Sequence, residues 1–443
     1  MAGAAQAEPI SLNMALGLAY ETNPQLDAER AHLRATDEGV AQANANWRPT
    51  INAVGEYGWQ RYALGQNAFG PGTTGDLTEH PLEGQLTVSE NIFRGGKTYA
   101  EVGRAKAIVR QGRAMLLDTE QQVLLNGVAA YMNVVRDTAT VQLQENNVAV
   151  LQKQLDATTK QFDVGELTKT DVSQSQARLS GAQAQLTLAR GVLASDRAVF
   201  EQVIGRAPET LEDEPALPKL PDTEAAAIDV ATKLNPQEVA AREAERAVDL
   251  AVDDAIGSLS PQLSVQGQYQ YSSGNPATGL GSTTLHGMAV LGQVTVPIYQ
   301  GGNEEASVRQ AKELHSQAQL QIAQADRAVR ASVQSAWDTY RSAEAAIASN
   351  KSQVAADEIA YQGVKQEEQV GGRTILDVLN AQQELLNAQV AVVSSERDAY
   401  VAAYQLLQAT GQLTAHYLAL NVKFYDPTEH YDSDANRWIG FGD

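Results

Sequence analysis

The chain has 443 residues, a formal net charge of −21 and no cysteine. The acidic charge excludes a general nucleic-acid binder, which would carry a basic surface. The missing cysteines exclude a disulfide framework, a thiolate metal site and a cysteine nucleophile. Only 6% of the residues are aromatic, which favours long helices over a thick globular core.

The N-terminus reads MAGAAQAEPISL. Small residues that end in Ala-Gln-Ala are typical of the last part of a signal-peptide cleavage site. We therefore interpret Met1 as an added start on a trimmed precursor. A run of 18 apolar residues occurs nowhere in the sequence, which excludes a transmembrane helix but leaves short membrane strands open.

The second half of the chain repeats the first. Gly165 and Gly371 lie 206 positions apart, and so do Asp171 and Asp377. A unit of this length is far longer than a solenoid repeat, so one architecture is used twice. We predict a first structural repeat at 10–215, a connector at 216–222 and a second repeat at 223–420.

Two β-hairpins are predicted, at about 48–93 and 260–299. Apolar and polar residues alternate in both, most clearly in PQLSVQGQYQYS, which begins at Pro261. Such strands need an apolar environment on one face and water on the other. Four strands cannot close a membrane barrel, for which about eight are needed, so strands in a membrane would have to be pooled from several chains.

Each hairpin precedes a long helical tract, at 95–161 and at 302–366. A helix of this length extends roughly 100 Å at 1.5 Å per residue. Coiled-coil helices are predicted at 168–205 and 374–410, because apolar residues recur there every seven positions. We expect each coiled-coil helix to pack as an antiparallel hairpin on the long helix before it, through a glycine turn.

The two turns carry the same capping pattern, Thr168-x-x-Asp171 and Thr374-x-x-Asp377. A capping box alone would account for both aspartates. If several copies meet around an axis, the same carboxylates would instead form a ring that selects cations.

Almost nothing in the sequence indicates catalysis. The six histidines have no metal-ligand spacing, and no phosphate loop, dinucleotide fingerprint or nucleophile elbow occurs. We predict that the chain is not an enzyme, with no catalytic residue, no cofactor and no metal site. The C-terminal tail, 421–443, has no periodicity and is expected to be irregular, crossing the helices with the connector as an equatorial belt.

Several motifs together resemble the TolC family of outer-membrane channel-tunnels, the outer membrane efflux proteins. They are the duplicated halves, the Val-Gly-x5-Asp-Val turns, the NIFRGG and PIYQGG junctions between strand and helix, and the Asn-Pro-Gln helix starts. The resemblance covers the chain from Ile10 to about Leu420. Each motif alone is weak, and their joint order and doubled spacing make the resemblance specific.

The resemblance implies an α+β membrane protein that is a homotrimer. Three protomers would pool four strands each into a transmembrane β-barrel in the bacterial outer membrane, continued by a long α-helical coiled-coil barrel in the periplasm. The implied function is a passive, gated exit duct of a tripartite export system. The implied partners are outer-membrane lipid, a periplasmic adaptor (membrane fusion protein) and an inner-membrane transporter, without nucleic acid.

The resemblance also implies a gate at the turns. Asp377 resembles the first aspartate of a selectivity ring at the tip, and Asn380 occupies the second ring position, which weakens the charge filter. Arg373 matches an arginine whose bonds to Thr170 and Asp171 hold the tip closed.

Glu368 occupies the place of that arginine's aromatic partner, where it would repel Asp171. The adaptor is expected to contact the tip turns, which comprise Gly165, Leu167, Thr168, Gly371, Gly372 and Thr374.

The tail sequence YDPTEHYDSDANRW is similar to tails of members that serve type I protein secretion, and the missing lipid-bearing cysteine argues against the lipoprotein drug-efflux branch. We therefore favour secretion with an ABC-type transporter over multidrug efflux. An alternative of another class is a soluble coiled-coil scaffold protein, which would leave the apolar strand faces unexplained.

Overall fold

The computed structural model describes residues 9–64, 75–212, 217–274 and 283–441. The chain divides into two compact units. Unit 1 combines Met1–His32, Gly112–Ala241 and Ile322–Asp426, and unit 2 combines Leu33–Gln111, Arg242–Gln321 and Pro427–Asp443. Each unit takes segments from both halves of the chain, because the long helices of both halves contribute residues to both units. The sequence repeats are therefore not the compact units.

Helices make up most of the described residues. In the first half they are α1 (Leu12–Thr22), α2 (Pro24–Asn44), α3 (Lys97–Asp163) and α4 (Lys169–Ile204). In the second half they are α5 (Glu224–Leu234), α6 (Pro236–Gly257), α7 (Asn303–Gln369) and α8 (Ile375–Ala409). The long helices α3 and α7 have 67 residues each, and α4 and α8 have 36 and 35, as a duplication requires. Among the described residues, no helix combines the length and the apolar character needed to cross a membrane.

The repeated Asn-Pro-Gln motif joins two helices in each half. The Asn23 Oδ1 atom accepts a hydrogen bond from the Gln25 N–H, and its Nδ2 donates to the Val203 carbonyl at the end of α4. Asn235 makes the equivalent bonds, to the Gln237 N–H and to the Ala409 carbonyl at the end of α8. The motif recurs because each half uses one asparagine both to start a helix and to satisfy an unpaired helix-end carbonyl.

Four antiparallel strands form one sheet in the order β1-β4-β5-β6. They are β1 (Thr50–Tyr57), β4 (Leu82–Arg94), β5 (Gln262–Gly274) and β6 (Thr283–Thr295). The register aligns Ile51, Val88, Gly267 and Val290 in one row across the sheet, and Ala53, Leu86, Tyr269 and Met288 in another row on the same face. The row between them starts with Asn52, Thr87 and Gln268 and faces the other way. The predicted alternation therefore gives the sheet one apolar face.

The first hairpin departs from the prediction beyond β1. The pairing breaks at Gly58, and a separate two-stranded sheet forms from β2 (Gln60–Leu64) and β3 (Gly75–Glu79). Strand β3 lies within the predicted hairpin at about 48–93, but it pairs with β2 instead of extending the four-stranded sheet. Residues 65–74 and their counterpart in the second hairpin, 275–282, lie outside the described residues.

The heptad positions of both coiled-coil helices face inward in unit 1. Leu179, Leu193 and Phe200 are buried in α4, and Val378 and Leu385 are buried in α8. Ion pairs join α4 to α3 through Arg190 and Glu145, and α8 to α7 through Lys351 and Glu396, as expected for hairpins. Helix α8 contributes many more buried residues than α4. The two copies of the coiled-coil helix are therefore equivalent in sequence but not in environment.

The tail is not irregular throughout. Residues Glu429–Asp434 form a short helix, α9, in unit 2. Ala435, just after it, is buried with Val40 of α2 and Val109 of α3. The Asn44 side-chain amide donates to the Ala435 carbonyl over 2.8 Å. The expectation of an irregular tail was wrong because a six-residue helix is too short to show periodicity and is stabilised by tertiary contacts.

Candidate gate at the paired helical turns

Both turns end a long helix with a glycine in the left-handed conformation. Gly165 has φ +86° and Gly371 has φ +79°. The Gly165 N–H donates to the Phe162 carbonyl and the Gly371 N–H to the Glu368 carbonyl, each over 2.9 Å. A glycine here satisfies carbonyls at the helix end without the strain that a side chain would cause at positive φ.

Each new helix then starts with a capping box. The Thr168 N–H and hydroxyl donate to Asp171 Oδ2 over 2.9 and 2.7 Å. The Thr374 N–H and hydroxyl donate to Asp377 Oδ2 over 3.0 and 2.8 Å. The Thr oxygens accept in return from the backbone of the aspartates. The predicted capping boxes are confirmed in both halves.

The capping bonds keep both aspartates ionised. The Thr168 hydroxyl and backbone N–H lower the pKa of the Asp171 carboxyl below its ordinary value. For Asp377 the Thr374 backbone N–H lowers the pKa most, followed by the Thr374 hydroxyl, with a smaller effect from the charge of Arg373. Both carboxyls therefore carry a full negative charge at neutral pH. A capping role and a role in a charged ring are compatible, since the capping bonds described above use one carboxylate oxygen of each aspartate, Oδ2.

An apolar cluster brings the two halves together behind the turns. Leu151 of α3, Leu179 and Ala182 of α4, and Ile375 and Leu379 of α8 are buried against one another. The half-buried Leu167, between Gly165 and the start of α4, packs on this cluster. The turns of the two halves are therefore anchored on one shared core, which lies within unit 1.

Arg373 binds within its own turn. Its Nε donates to Glu367 Oε2 over 2.9 Å, and both side chains are about half exposed. The bonds expected from Arg373 to Thr170 and Asp171 stay a prediction. Glu368, the neighbour of Glu367, is half-buried, and its backbone carbonyl closes the glycine turn.

Asn380 has a partner that the sequence reasoning missed. The Arg178 Nη2 atom donates to Asn380 Oδ1 over 2.7 Å, which joins α4 to α8 across the two halves. Arg178 lies seven residues after Asp171, and that heptad spacing is the only signal in the sequence that could have indicated it. Asn380, three residues after Asp377, therefore lies beside the guanidinium of Arg178.

The remaining turn residues are accessible. Gly165, Thr168, Thr170, Gly371, Gly372 and Thr374 are all exposed. Within the part of the chain that the structure describes, the turns carry carboxylates, hydroxyls and the exposed cations Lys169 and Arg373.

Comparisons with known proteins agree with this architecture. The chain matches the family described as "Outer membrane efflux protein" over residues 15–206 and 227–412. It is 35% identical over 432 residues to the outer membrane efflux protein BepC of Brucella suis, covering 97% of this chain and 91% of the relative. It is 24% identical over 410 residues to the alkaline protease secretion protein AprF of Pseudomonas aeruginosa, covering 88% of this chain and 82% of AprF.

A solved structure shares the fold. The CmeC outer membrane channel of Campylobacter jejuni superposes with a TM-score of 0.79 at 17% identity, covering 96% of this chain and 89% of CmeC. The fold class and the family resemblance stated from the sequence motifs are thereby confirmed.

Proposed function

Because the chain belongs to the outer membrane efflux protein family, we propose that it is the trimeric exit duct of a tripartite system for type I protein secretion. It is an outer-membrane export channel rather than an enzyme, and most of the chain belongs to the periplasm. The energy for export would come from an inner-membrane transporter of the ABC type, joined to the duct by a periplasmic adaptor.

The main structural support for an export duct is the four-stranded sheet. Within the described residues, β1 and β6 are hydrogen-bonded on one side only, and the apolar face of the sheet is exposed, with Met288 84% and Val290 69% accessible. An apolar face of this extent needs a cover, and an unpaired edge needs another strand. Pooling strands from three copies in lipid would supply both.

The tip residues would form the gate of this duct. Asp171 and Asp377 supply ionised carboxylates, Arg373 and Arg178 supply cations, and Asn380 dilutes the negative charge. The exposed glycine turns would be the surface that the adaptor contacts. Support comes from the capped turns and their shared apolar core.

Two cargo classes fit the relatives. AprF, named as a secretion protein, and the tail sequence support protein secretion. BepC, which is more similar and is named as an efflux protein, supports small-molecule efflux as the second candidate.

Deleting the gene in the native bacterium tests both the duct and the cargo. We expect the deletion to remove specific proteins from the culture medium and the wild-type gene to restore them. A Val290→Arg gene should fail to restore them, because a charge on a lipid-facing strand position costs about 2–4 kcal/mol at the bilayer midplane. Gln268→Arg, on the opposite face of the same sheet, is the matched control and should restore secretion.

The other outcomes decide between the candidates. An unchanged set of secreted proteins together with raised sensitivity to toxic small molecules would replace secretion by efflux. If neither secretion nor sensitivity to toxic small molecules changed, the proposal that this protein is an export duct would be contradicted.

A further inference from the structure

Three potential metal ligands converge where the C-terminal helix α9 meets α2. His430 and Asp434 lie four residues apart on one face of α9. The His430 Nε2 atom is 3.2 Å from Asp434 Oδ2 and 3.7 Å from Glu38 Oε1 on α2. The ligand atoms of the three residues all lie within 4.8 Å of one another.

The two separations that start at His430 Nε2 are close to the edge length of a tetrahedral metal site. Zinc binds histidine nitrogen and carboxylate oxygen at about 2.0–2.2 Å, so ligand atoms in a tetrahedral site lie about 3.3–3.5 Å apart. The two measured separations, 3.2 and 3.7 Å, bracket this value. A neutral imidazole has one N–H, so at most one hydrogen bond can join His430 Nε2 to the two carboxylates that face it. The 3.7 Å separation from Glu38 is in any case too long for a hydrogen bond.

A buried carboxylate on the far side of the imidazole is a second, independent observation. Asp37 is 2% exposed, and its Oδ2 lies 3.3 Å from His430 Nδ1. Histidines that bind metals almost always donate their other N–H to a carboxylate, carbonyl or water, which fixes the tautomer and aims the free nitrogen at the ion. Asp37 would hold the Nδ1 proton and leave the Nε2 lone pair for the metal.

The second carboxylate ligand is also oriented by a neighbour. Arg437 Nη2 forms an ion pair with Asp434 Oδ1 over 2.9 Å, and Asp434 Oδ2 faces His430. The side chain of Asp434 is 9% exposed, whereas that of Glu38 is 47% exposed. The cluster is therefore shielded from solvent at Asp434 and open to solvent at Glu38, where water could complete the coordination of an ion.

We propose that Glu38, His430 and Asp434 bind a divalent first-row transition metal ion such as Zn²⁺, with Asp37 orienting the imidazole. One imidazole and two carboxylates suit such ions better than Ca²⁺ or Mg²⁺, which prefer oxygen ligands alone. The ion joins α9 to α2, beside the contact of Ala435 with Val40. It therefore fixes the C-terminal segment on unit 2, a structural role independent of the cargo that the duct carries.

Sequence spacing gave no indication of this site, because Asp37 and His430 lie 393 positions apart. A second histidine offers a matched control within unit 2. His315 Nε2 lies 2.7 Å from Glu245 Oε1 and 3.9 Å from Asp249 Oδ1, yet no third ligand converges on it among the described residues.

The test uses the full-length protein purified in detergent and freed of metal with a chelator. Added Co²⁺, followed by its visible absorption, and Zn²⁺, counted by elemental analysis after dialysis, should both bind at one ion per chain. His430→Gln and Glu38→Gln should weaken binding about 100-fold or more, since even the loss of an outer-shell partner costs 10–100-fold. His315→Gln should bind like the wild type. Equal binding by the wild type and both Glu38→Gln and His430→Gln, or loss of the ion in His315→Gln alone, would overturn the assignment.

Trypsin cleavage after Arg437 gives a second readout of the structural role. Zn²⁺ should slow this cleavage several-fold in the wild type and should leave it unchanged in Glu38→Gln, whose side chain is exposed enough for the variant to fold. Cleavage rates in the wild type that are the same with Zn²⁺ and with chelator would contradict the structural role, since the tail would then be held by protein contacts alone.

Discussion

At the residue scale, the tip is a balance of charges on two short turns. Glu367, Asp171 and Asp377 supply negative charge, and the Arg373 guanidinium donates a hydrogen bond to Glu367 over 2.9 Å. Its charge also contributes to the lowered pKa of Asp377. Because Arg373 is exposed, its importance would lie in holding the turns against mutual repulsion when several copies meet, rather than in the stability of one chain.

Replacing Arg373 tests this balance. Arg373→Ala leaves the carboxylates of the turn without their cation, so we expect a higher open probability in planar bilayers and a stronger preference for cations. Single-channel currents of the purified protein measure both. Arg341→Ala is the control, because Arg341 makes an exposed pair with Glu344 on the same helix, α7. Currents that are identical in all three proteins would remove Arg373 from the gate and leave Asp377 as a helix cap.

At the scale of the element, the turns depend on backbone conformation as much as on side chains. A Cβ atom added at Gly371 would meet no atom within 4 Å, so space does not require a glycine there. The positive φ of +79° does require one, because an L-residue is strained in the left-handed region. The same argument applies to Gly165, and this explains why the two halves share a glycine at the same place.

Two glycine substitutions, one in the turn and one within α7, separate these effects. Gly371→Ala should destabilise the helix pair by about 1–2 kcal/mol through backbone strain. Gly363→Ala, eight residues earlier, meets open space at a helical φ and should stabilise by about 0.5–1 kcal/mol through helix propensity. Chemical unfolding in detergent, followed by helix circular dichroism, measures both changes. Changes of the same sign would show that the turn conformation does not limit stability.

At the scale of the whole molecule, the sheet is incomplete in a single chain. The apolar rows that run from Ile51 to Val290 and from Ala53 to Met288 end at the outer edges of β1 and β6, with which no other described strand pairs. An exposed strand edge is a template for pairing with another chain. In the proposed trimer, β1 of one copy would pair with β6 of the next, and closure would leave no free edge.

Cross-linking tests this pairing directly, since the 443-residue sequence contains no cysteine. Val54→Cys on β1 should form disulfides with one or two positions in a cysteine scan along β6, because a bridge needs Cα atoms about 4.4–6.8 Å apart. Denaturing gels should then show dimers and trimers of the chain, with trimers as the largest species. The same Val54→Cys paired with cysteines on β5 is the control and should give no bond between chains. A ladder that extends beyond trimers would contradict threefold closure.

Patterns in the sequence were enough to predict the local architecture, because a helix cap, a turn or a strand depends on residues that are close together in the chain. The Thr-x-x-Asp pattern predicted a capping box at the start of each coiled-coil helix. The glycine before each pattern ends the preceding helix because it adopts a positive φ. Period-two alternation placed the strands, and the heptads of α4 and α8 predicted their inward faces. Doubled spacing then predicted two long helices of the same length.

The tertiary structure decided what depends on residues far apart in the chain. In the folded chain α8 is more buried than α4, although their heptads are equivalent. The burial of a helix depends on which other helices pack against it, and its own heptads do not show this. The tertiary structure also paired Arg178 with Asn380 and gathered Glu38, His430 and Asp434 at one point. Such contacts have no signature in spacing, since they arise from the geometry of helices that meet only in the folded chain.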